Sequence, residues 1–361
     1  MADEDPITPA RALTPPDPSA DGPRVAVLGA SGFAGALAAA LLARHPWFRL
    51  GAITARAEAG MALRELYPHH RVDDVLVEPE LDAIAADHDV AIVGYPHGAS
   101  SEAVAALHAR GLVVVDLSAD FRLRDPAVYR EWYGDGHVAP DLFGSAVYGL
   151  PELHRAALAD VRDGSRLIAG PGCFPTAAIL ALAPLARAGV VADVIVDAKT
   201  GVSGAGRKLQ RTTHYSAVSE NVHAYGVAGH RHQPEIRQEL AAQGMDDAVE
   251  PVFVPHLTPV DQGELVSCYV RPVRRVTADE VDTLFADAYD GERFVELTDV
   301  DPGMRDVQAT NVARIRTHVD PRSDHVLVFA AIDNLWKGTS SQAIQSLNVA
   351  FGRDEGEGLP A

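Results

Sequence analysis

Cysteine is scarce in this chain: of 361 residues, only Cys173 and Cys268 carry a thiol. Two cysteines make no disulfide framework at this length, which fits a reducing cytoplasm. Lysine is as scarce: Lys199, Lys208 and Lys337 stand alone among 31 basic residues, the rest being arginine. Positive charge is outweighed altogether, the formal net charge being −19. That excludes a general binder of nucleic acid or of anionic membrane surfaces. The longest uncharged window, residues 167–186, contains Pro171, Pro175, Pro184, Gly170 and Gly172. It reads as a buried turn and core helix rather than a membrane span. No basic region followed by an apolar run stands at the N-terminus, so no secretory signal is visible. There is no internal repeat. No glycine spacing of the Walker kind precedes Lys208. No Tyr-x-x-x-Lys occurs either: Ile195, Gly204 and Asp333 stand four before the lysines. His223, His230, His232 and His256 fit no standard zinc spacing, so no metal is expected.

Order is expected to begin at Arg24-Val25-Ala26-Val27-Leu28, an apolar run of the kind found in buried parallel strands. The turn Gly29-Ala30-Ser31-Gly32-Phe33-Ala34-Gly35 and an Ala/Leu-rich helix follow. Strand, glycine turn and helix let a backbone approach a pyrophosphate at a helix N-terminus. Gly29, Ser31, Gly32, Phe33 and Gly35 are therefore candidate dinucleotide contacts. The next strand runs into Arg56 where an acidic partner for a ribose hydroxyl would stand, which favours NADP over NAD. Further strands at 90–94 and 112–116 lead into loops carrying Pro96 and His97, then Ser118, Asp120 and Arg122. The alternation implies an α/β fold with a doubly wound parallel sheet. Pro96 becomes a cofactor candidate, and Ser118 and Arg122 substrate-anion candidates; His97 reads equally well as structural.

Ala169-Gly170-Pro171-Gly172-Cys173-Phe174-Pro175-Thr176 reads as a tight turn feeding a helix whose first position suits Pro175. A cysteine at a helix N-terminus meets unpaired N–H groups, which can lower its pKa toward neutrality. Cys173 is the candidate nucleophile. A strand at 194–198 enters Lys199-Thr200-Gly201-Val202-Ser203-Gly204-Ala205-Gly206-Arg207-Lys208, an anion cradle in which Lys199 and Arg207 are substrate candidates. His230 and His232, opening another helix, are candidate acid/base groups. Strands at 252–254, 264–270 and 325–329, with charged helical stretches between, imply a mixed or antiparallel second sheet. Cys268 lies within one of them and reads as packing.

Taken in order, GASGFAG, DLSADFRL, YGLPEL, GPGCFPTA, the SGAGR loop, HRHQPEI, PHLTP and AIDNLWKG resemble the N-acetyl-gamma-glutamyl-phosphate reductase family over about residues 24–352. Residues 1–23, rich in Pro, Asp and Ala and without apolar periodicity, read as a disordered extension. The resemblance implies an NADP-binding Rossmann domain at 24–170 and a glyceraldehyde-3-phosphate-dehydrogenase-like α+β catalytic and oligomerisation domain at 171–330. Residues 331–361 would return to the first domain. It also implies Cys173 as catalytic cysteine, with His230 and His232 as the motif's histidine pair. Ser203, Gly204 and Asn334 would meet the cofactor, with Lys337 near the nicotinamide. The implied enzyme is a cytoplasmic homo-oligomer, dimer or tetramer, that reduces a small acyl phosphate with NADPH through a cysteine thioester. A sister reductase acting on a carrier-bound aminoadipyl or glutamyl phosphate, and a non-enzymatic NADP sensor, are the alternatives. The chain departs from the family pattern at Gly170, at Gln262, where an arginine is usual, and at Trp336.

Overall fold

The computed structural model describes residues 22–360, so the extension read at 1–23 lies almost wholly outside the described residues. Among them, thirteen strands form two sheets. The first contains β1 (Arg24–Leu28), β2 (Arg49–Thr54), β3 (Val90–Val93), β4 (Val113–Asp116), β5 (Val147–Tyr148) and β6 (Leu167–Ala169). All its pairs are parallel, in the order β2-β1-β3-β4-β6-β5. Central strands that are apolar at every residue need cover on both faces. Val25, Val27, Val90, Ile92, Val113 and Val115 pack against helices Phe33–Leu42 and Ser341–Ala350. Ala26, Leu28, Ala91, Val93 and Val114 pack against helix Ser100–Ala109. The strand order reverses between β1 and β3, which leaves a crevice at their carboxyl ends, the ligand position in such sheets.

The second sheet contains β7 (Val191–Thr200), β8 (His223–Ala224), β9 (Val252–Leu257), β10 (Glu264–Pro272), β11 (Val295–Leu297), β12 (Ala313–Val319) and β13 (Val326–Ile332). Their order is β11-β12-β13-β10-β7-β9-β8, with both parallel and antiparallel pairs. The sequence reading placed charged helical stretch where β12 lies. Ala313, Ile315 and Thr317 face the core while Arg314, Arg316 and His318 face outward. That two-residue period defines a strand whatever the charge on its outer face.

One face of this sheet is covered by the helix Cys173–Arg187, in which all but Cys173 and Arg187 are buried. Gly172 caps it, so Pro175 stands at the third helical position and not the first. The missing N–H still falls among those a helix leaves unpaired. Pro184 interrupts the ladder lower down and leaves the Leu180 carbonyl without its usual donor. The Tyr289 hydroxyl donates to that carbonyl instead. Beyond β13, a wide π turn, Trp336–Ser340, carries the chain into helix Ser341–Ala350 on the first sheet. The two sheets are thus joined twice: through β6 and the cysteine helix, and through this turn.

Candidate active site

β6 ends at Ala169, and four residues later Cys173 begins its helix at the carboxyl edge of the parallel sheet. The turn between is fixed from three sides. The Gly170 N–H donates to Asp116 O at 2.8 Å. Arg122 Nε donates to Gly170 O at 2.7 Å. The Gly172 N–H donates to Glu235 Oε1 at 2.9 Å, while Tyr148 and Arg122 hold the same carboxylate. A Cβ on Gly172 would lie 2.7 Å from His232 Nε2, 2.9 Å from Arg122 Nη1 and 2.9 Å from Pro175 Cδ, so a larger residue there would displace them. His232 Nε2 and the Arg122 guanidinium therefore both border the backbone that presents Cys173.

The thiol is not activated as the sequence reading expected. Its pKa is raised well above the ordinary value, first by burial and then by the charge and hydrogen bonding of Glu264. The Phe174 N–H and Arg122 pull the other way and lose. Cys173 keeps some surface, yet the sulfur is surrounded closely enough for desolvation to lead. A helix N-terminus is worth roughly 0.3–1 kcal/mol to an anion, less than the cost of burying one opposite a carboxylate. Glu264 went unread in the sequence although a signal existed. In the run ELVSCYV it shares its face with Val266, Cys268 and Val270, which places a carboxyl on the buried side of a strand.

Both histidines of the motif stand here. Phe174 lies edge-on to His230 and His232, with centroids 5.9 Å apart in each case. Burial holds His230 at about 4 and His232 well below its ordinary value, so both are neutral imidazoles. The His232 N–H donates to His230 Nδ1 at 3.2 Å, and His232 Nδ1 is buried without a partner. Asn334 Nδ2 donates to Ser203 Oγ at 3.0 Å and its Oδ1 accepts from the Gly263 N–H at 2.8 Å. Ser203, Gly204 and Asn334 thus form one wall beside Thr200. Gly338 forms the next: a Cβ there would lie 2.7 Å from Cys173 Cβ.

The dinucleotide turn fits a pyrophosphate. Gly29 has φ +78°, and a Cβ on Gly35 would lie 2.4 Å from Gly29 O. The turn therefore needs glycine at both positions. Gly32 caps the helix without a side-chain bond, which leaves the N–H groups of its first turn, Phe33, Ala34 and Gly35, without a capping acceptor. Arg56 is exposed just past the end of β2, and Pro96 lies in the loop after β3, whose Gly94 and Tyr95 border Gly29.

Three candidates, Lys199, Arg207 and Ser118, are held by partners other than their assignments required. Lys199 pairs with Asp197 at 2.6 Å on the face of β7 opposite Thr200, away from Cys173, because alternate residues of a strand point oppositely. Arg207 reaches Glu58 and Ser31 O, so it closes over the dinucleotide turn and not over the thiol. Ser118 donates to Asp116 at 2.7 Å and accepts from the Asp120 N–H, which commits it to its own loop. Lys337 is fully buried and donates to Glu152 at 2.6 Å and Gln345 at 2.7 Å, which commits its ammonium to a structural ion pair. Arg122 remains beside the thiol. Among the described residues no cluster of three metal-binding side chains occurs, and no helix is long and apolar enough to cross a membrane.

Residues 24–161 match the family described as semialdehyde dehydrogenase, NAD binding domain, and residues 173–334 its dimerisation domain. The fold is similar to aspartate semialdehyde dehydrogenase II of Vibrio cholerae, with TM-score 0.70 and 18% identity over 91% of this chain and 98% of that one. The Candida albicans aspartate semialdehyde dehydrogenase with NADP gives TM-score 0.65 at 16% identity, covering 92% and 99%. Curated relatives are nearer in sequence. The N-acetyl-gamma-glutamyl-phosphate reductase of Desulforudis audaxviator is 43% identical over 345 residues, 93% of this chain and 97% of its own length. That of Rubrobacter xylanophilus is 45% identical over 343 residues, 93% and 98%. A thiol at the edge of a nicotinamide-binding sheet, two domain matches that span the described chain and relatives of this similarity lead to one conclusion: the chain belongs to the N-acetyl-gamma-glutamyl-phosphate reductase family of semialdehyde dehydrogenases.

Proposed function

We propose that the protein reduces N-acetyl-gamma-glutamyl phosphate to N-acetylglutamate 5-semialdehyde and phosphate, with NADPH, as a step of arginine biosynthesis. The observation that carries this reading is the position of Cys173. It opens a buried helix at the carboxyl edge of the sheet whose glycine turn fits a dinucleotide, with His232 Nε2 bordering the same turn. The sulfur attacks the acyl carbon and phosphate departs, leaving a thioester. A bound nicotinamide supplies the hydride that reduces this thioester. Arg122, next to the turn, offers positive charge to the phosphate or to the developing oxyanion. His232, the nearer of the two histidines to the cysteine turn, moves the proton on the hemithioacetal oxygen, and His230 orients it through its backbone.

NADP is the preferred form of the cofactor, because Arg56 stands free at the end of β2 to take a 2′-phosphate. The protein acts in the cytoplasm, where its thiol stays reduced. Its oligomer is a dimer or a tetramer. The second sheet leaves one face uncovered by helices, with Ile195, Val252 and Tyr269 exposed upon it. The test runs the reaction backward: semialdehyde, phosphate and NADP⁺ should yield phosphate-dependent NADPH absorbance that vanishes in Cys173→Ala. Unchanged turnover in a folded Cys173→Ala protein would refute the assignment.

A further inference from the structure

Glu264 is fully buried at the first position of β10, paired through the backbone with Thr200 of β7 and Ile332 of β13. Neither of its oxygens makes a hydrogen bond of ordinary geometry, and Thr200 Oγ1 beside it is likewise unpartnered. The Cys173 thiol and the Thr200 hydroxyl face it closely enough to favour its ionised form. A buried carboxyl left this open costs stability and is kept where it has work to do. The preceding turn is also where the chain departs from its family, at Gln262.

We propose that Glu264 is the proton partner of the nucleophile: it takes the Cys173 proton during attack and returns it when the product leaves. This rests on Cys173 as nucleophile. In the attack the S–H bond breaks and the proton moves from Sγ to a Glu264 oxygen. The S–C bond forms, and the C–O bond to phosphate breaks with its electron pair, the phosphate taking a proton from solvent. The nicotinamide is oxidised as its hydride reduces the acyl carbon. The C–S bond then breaks, its pair returns to sulfur, and Glu264 reprotonates the thiolate. Burial makes the two histidines weaker bases than the Glu264 carboxylate, so they do not compete for this proton at rest.

Burial, opposed by Cys173 and Thr200 and reinforced by Asp333, pushes the Glu264 carboxyl up to about 8. Tyr225 faces the pair from the loop after β8 and feels both charges. Arg122 faces Cys173 from the first sheet. Thiol and carboxyl therefore titrate as a pair, in two macroscopic steps that belong to both.

The test is the rate of Cys173 alkylation by iodoacetamide against pH, on the full chain, which needs no turnover. Wild type should show an inflection near 8. In Glu264→Gln that inflection should vanish, and kcat should fall roughly 10²–10³-fold with little change in KM. An alkylation profile identical in Glu264→Gln, or a raised KM at unchanged kcat, overturns the proposal. If the variant does not fold, ¹³C-carboxyl NMR of the Glu-labelled wild type decides. A resonance that titrates near 8 and moves in Cys173→Ala supports the pair; none titrating above 7 overturns it. Coupled alkylation without any reductase activity would leave the pair standing and remove the proposed reaction instead.

Discussion

Gly338→Ala gives the sharpest test of how the site is built. A Cβ at this position would lie 2.7 Å from Cys173 Cβ, 3.2 Å from Cys173 Cα and 3.3 Å from Asp333 O. The first two atoms belong to the helix start and cannot swing aside like a side-chain tip. Two effects compete. Gly338 lies in a helical turn without positive φ, so alanine there would ordinarily stabilise by about 0.4–1 kcal/mol. Overpacking against fixed atoms costs about 1–3 kcal/mol, so the clash wins. The net loss is on the order of 1–2 kcal/mol, a fall in melting temperature of roughly 2–6 °C. The effect on rate should be larger. Relief requires Cys173 to retreat by a good fraction of an ångström, and a misplacement of about 1 Å can cost 10²-fold. Thermal melts and kcat for semialdehyde oxidation, measured on one preparation, separate the two. A Gly338→Ala protein that melts normally with full kcat would refute the contact between the turn and the nucleophile.

Three further outcomes are expected. His232→Asn should lower kcat by roughly 10²–10⁴-fold while His230→Asn lowers it less, since only His232 Nε2 borders Gly172; equal losses in both would remove the distinction. Lys337→Met should destabilise by about 3–5 kcal/mol, because it strands the buried Glu152 carboxylate. Adding Glu152→Gln should recover part of that loss in a urea titration, and no recovery would mean the pair is not what holds this region. Stability should also fall on both sides of neutrality. His230 and His70 are held at about 4 by burial, against 6.5 when unfolded, so the unfolded chain takes up their protons first. Their contribution is full above 6.5 and drains as pH falls toward 4. Glu264 is raised from 4.5 to about 8, so its contribution is full below 4.5 and is lost as pH rises to 8. Glu264→Gln should accordingly raise the melting temperature more at pH 9 than at pH 6; an equal or smaller gain at pH 9 would contradict the raised carboxyl.

The fold was legible where pattern and period agree. The parallel strands announce themselves as apolar runs before glycine turns, and the window around Cys173 reads as core because its prolines forbid a membrane span. β12 was hidden because arginines at alternate positions look helical in composition while their spacing is a strand's. Identity and place diverged for the cations. Lys199 is one residue from Thr200 in sequence and on the opposite side of the sheet, a distinction that depends only on parity along β7. Arg207 and Lys337 carry motif identity, but their ends are fixed by Glu58 and Glu152, acids far away in the chain.

The state of the thiol lay beyond local sequence for a deeper reason. Everything near Cys173 along the chain, from the helix start to the glycine turn, argues for an easily ionised sulfur. Everything that opposes this arrives by tertiary packing: the protein around the sulfur and a carboxyl from β10. Local dipoles contribute tenths to one kcal/mol and a facing buried charge contributes more, so the distant residue decides. A protonated resting thiol beside a carboxyl raised to about 8 also differs in kind from a free thiolate. The proton is held in reserve until substrate arrives, and the buried sulfur is shielded from oxidants and adventitious electrophiles that attack thiolates.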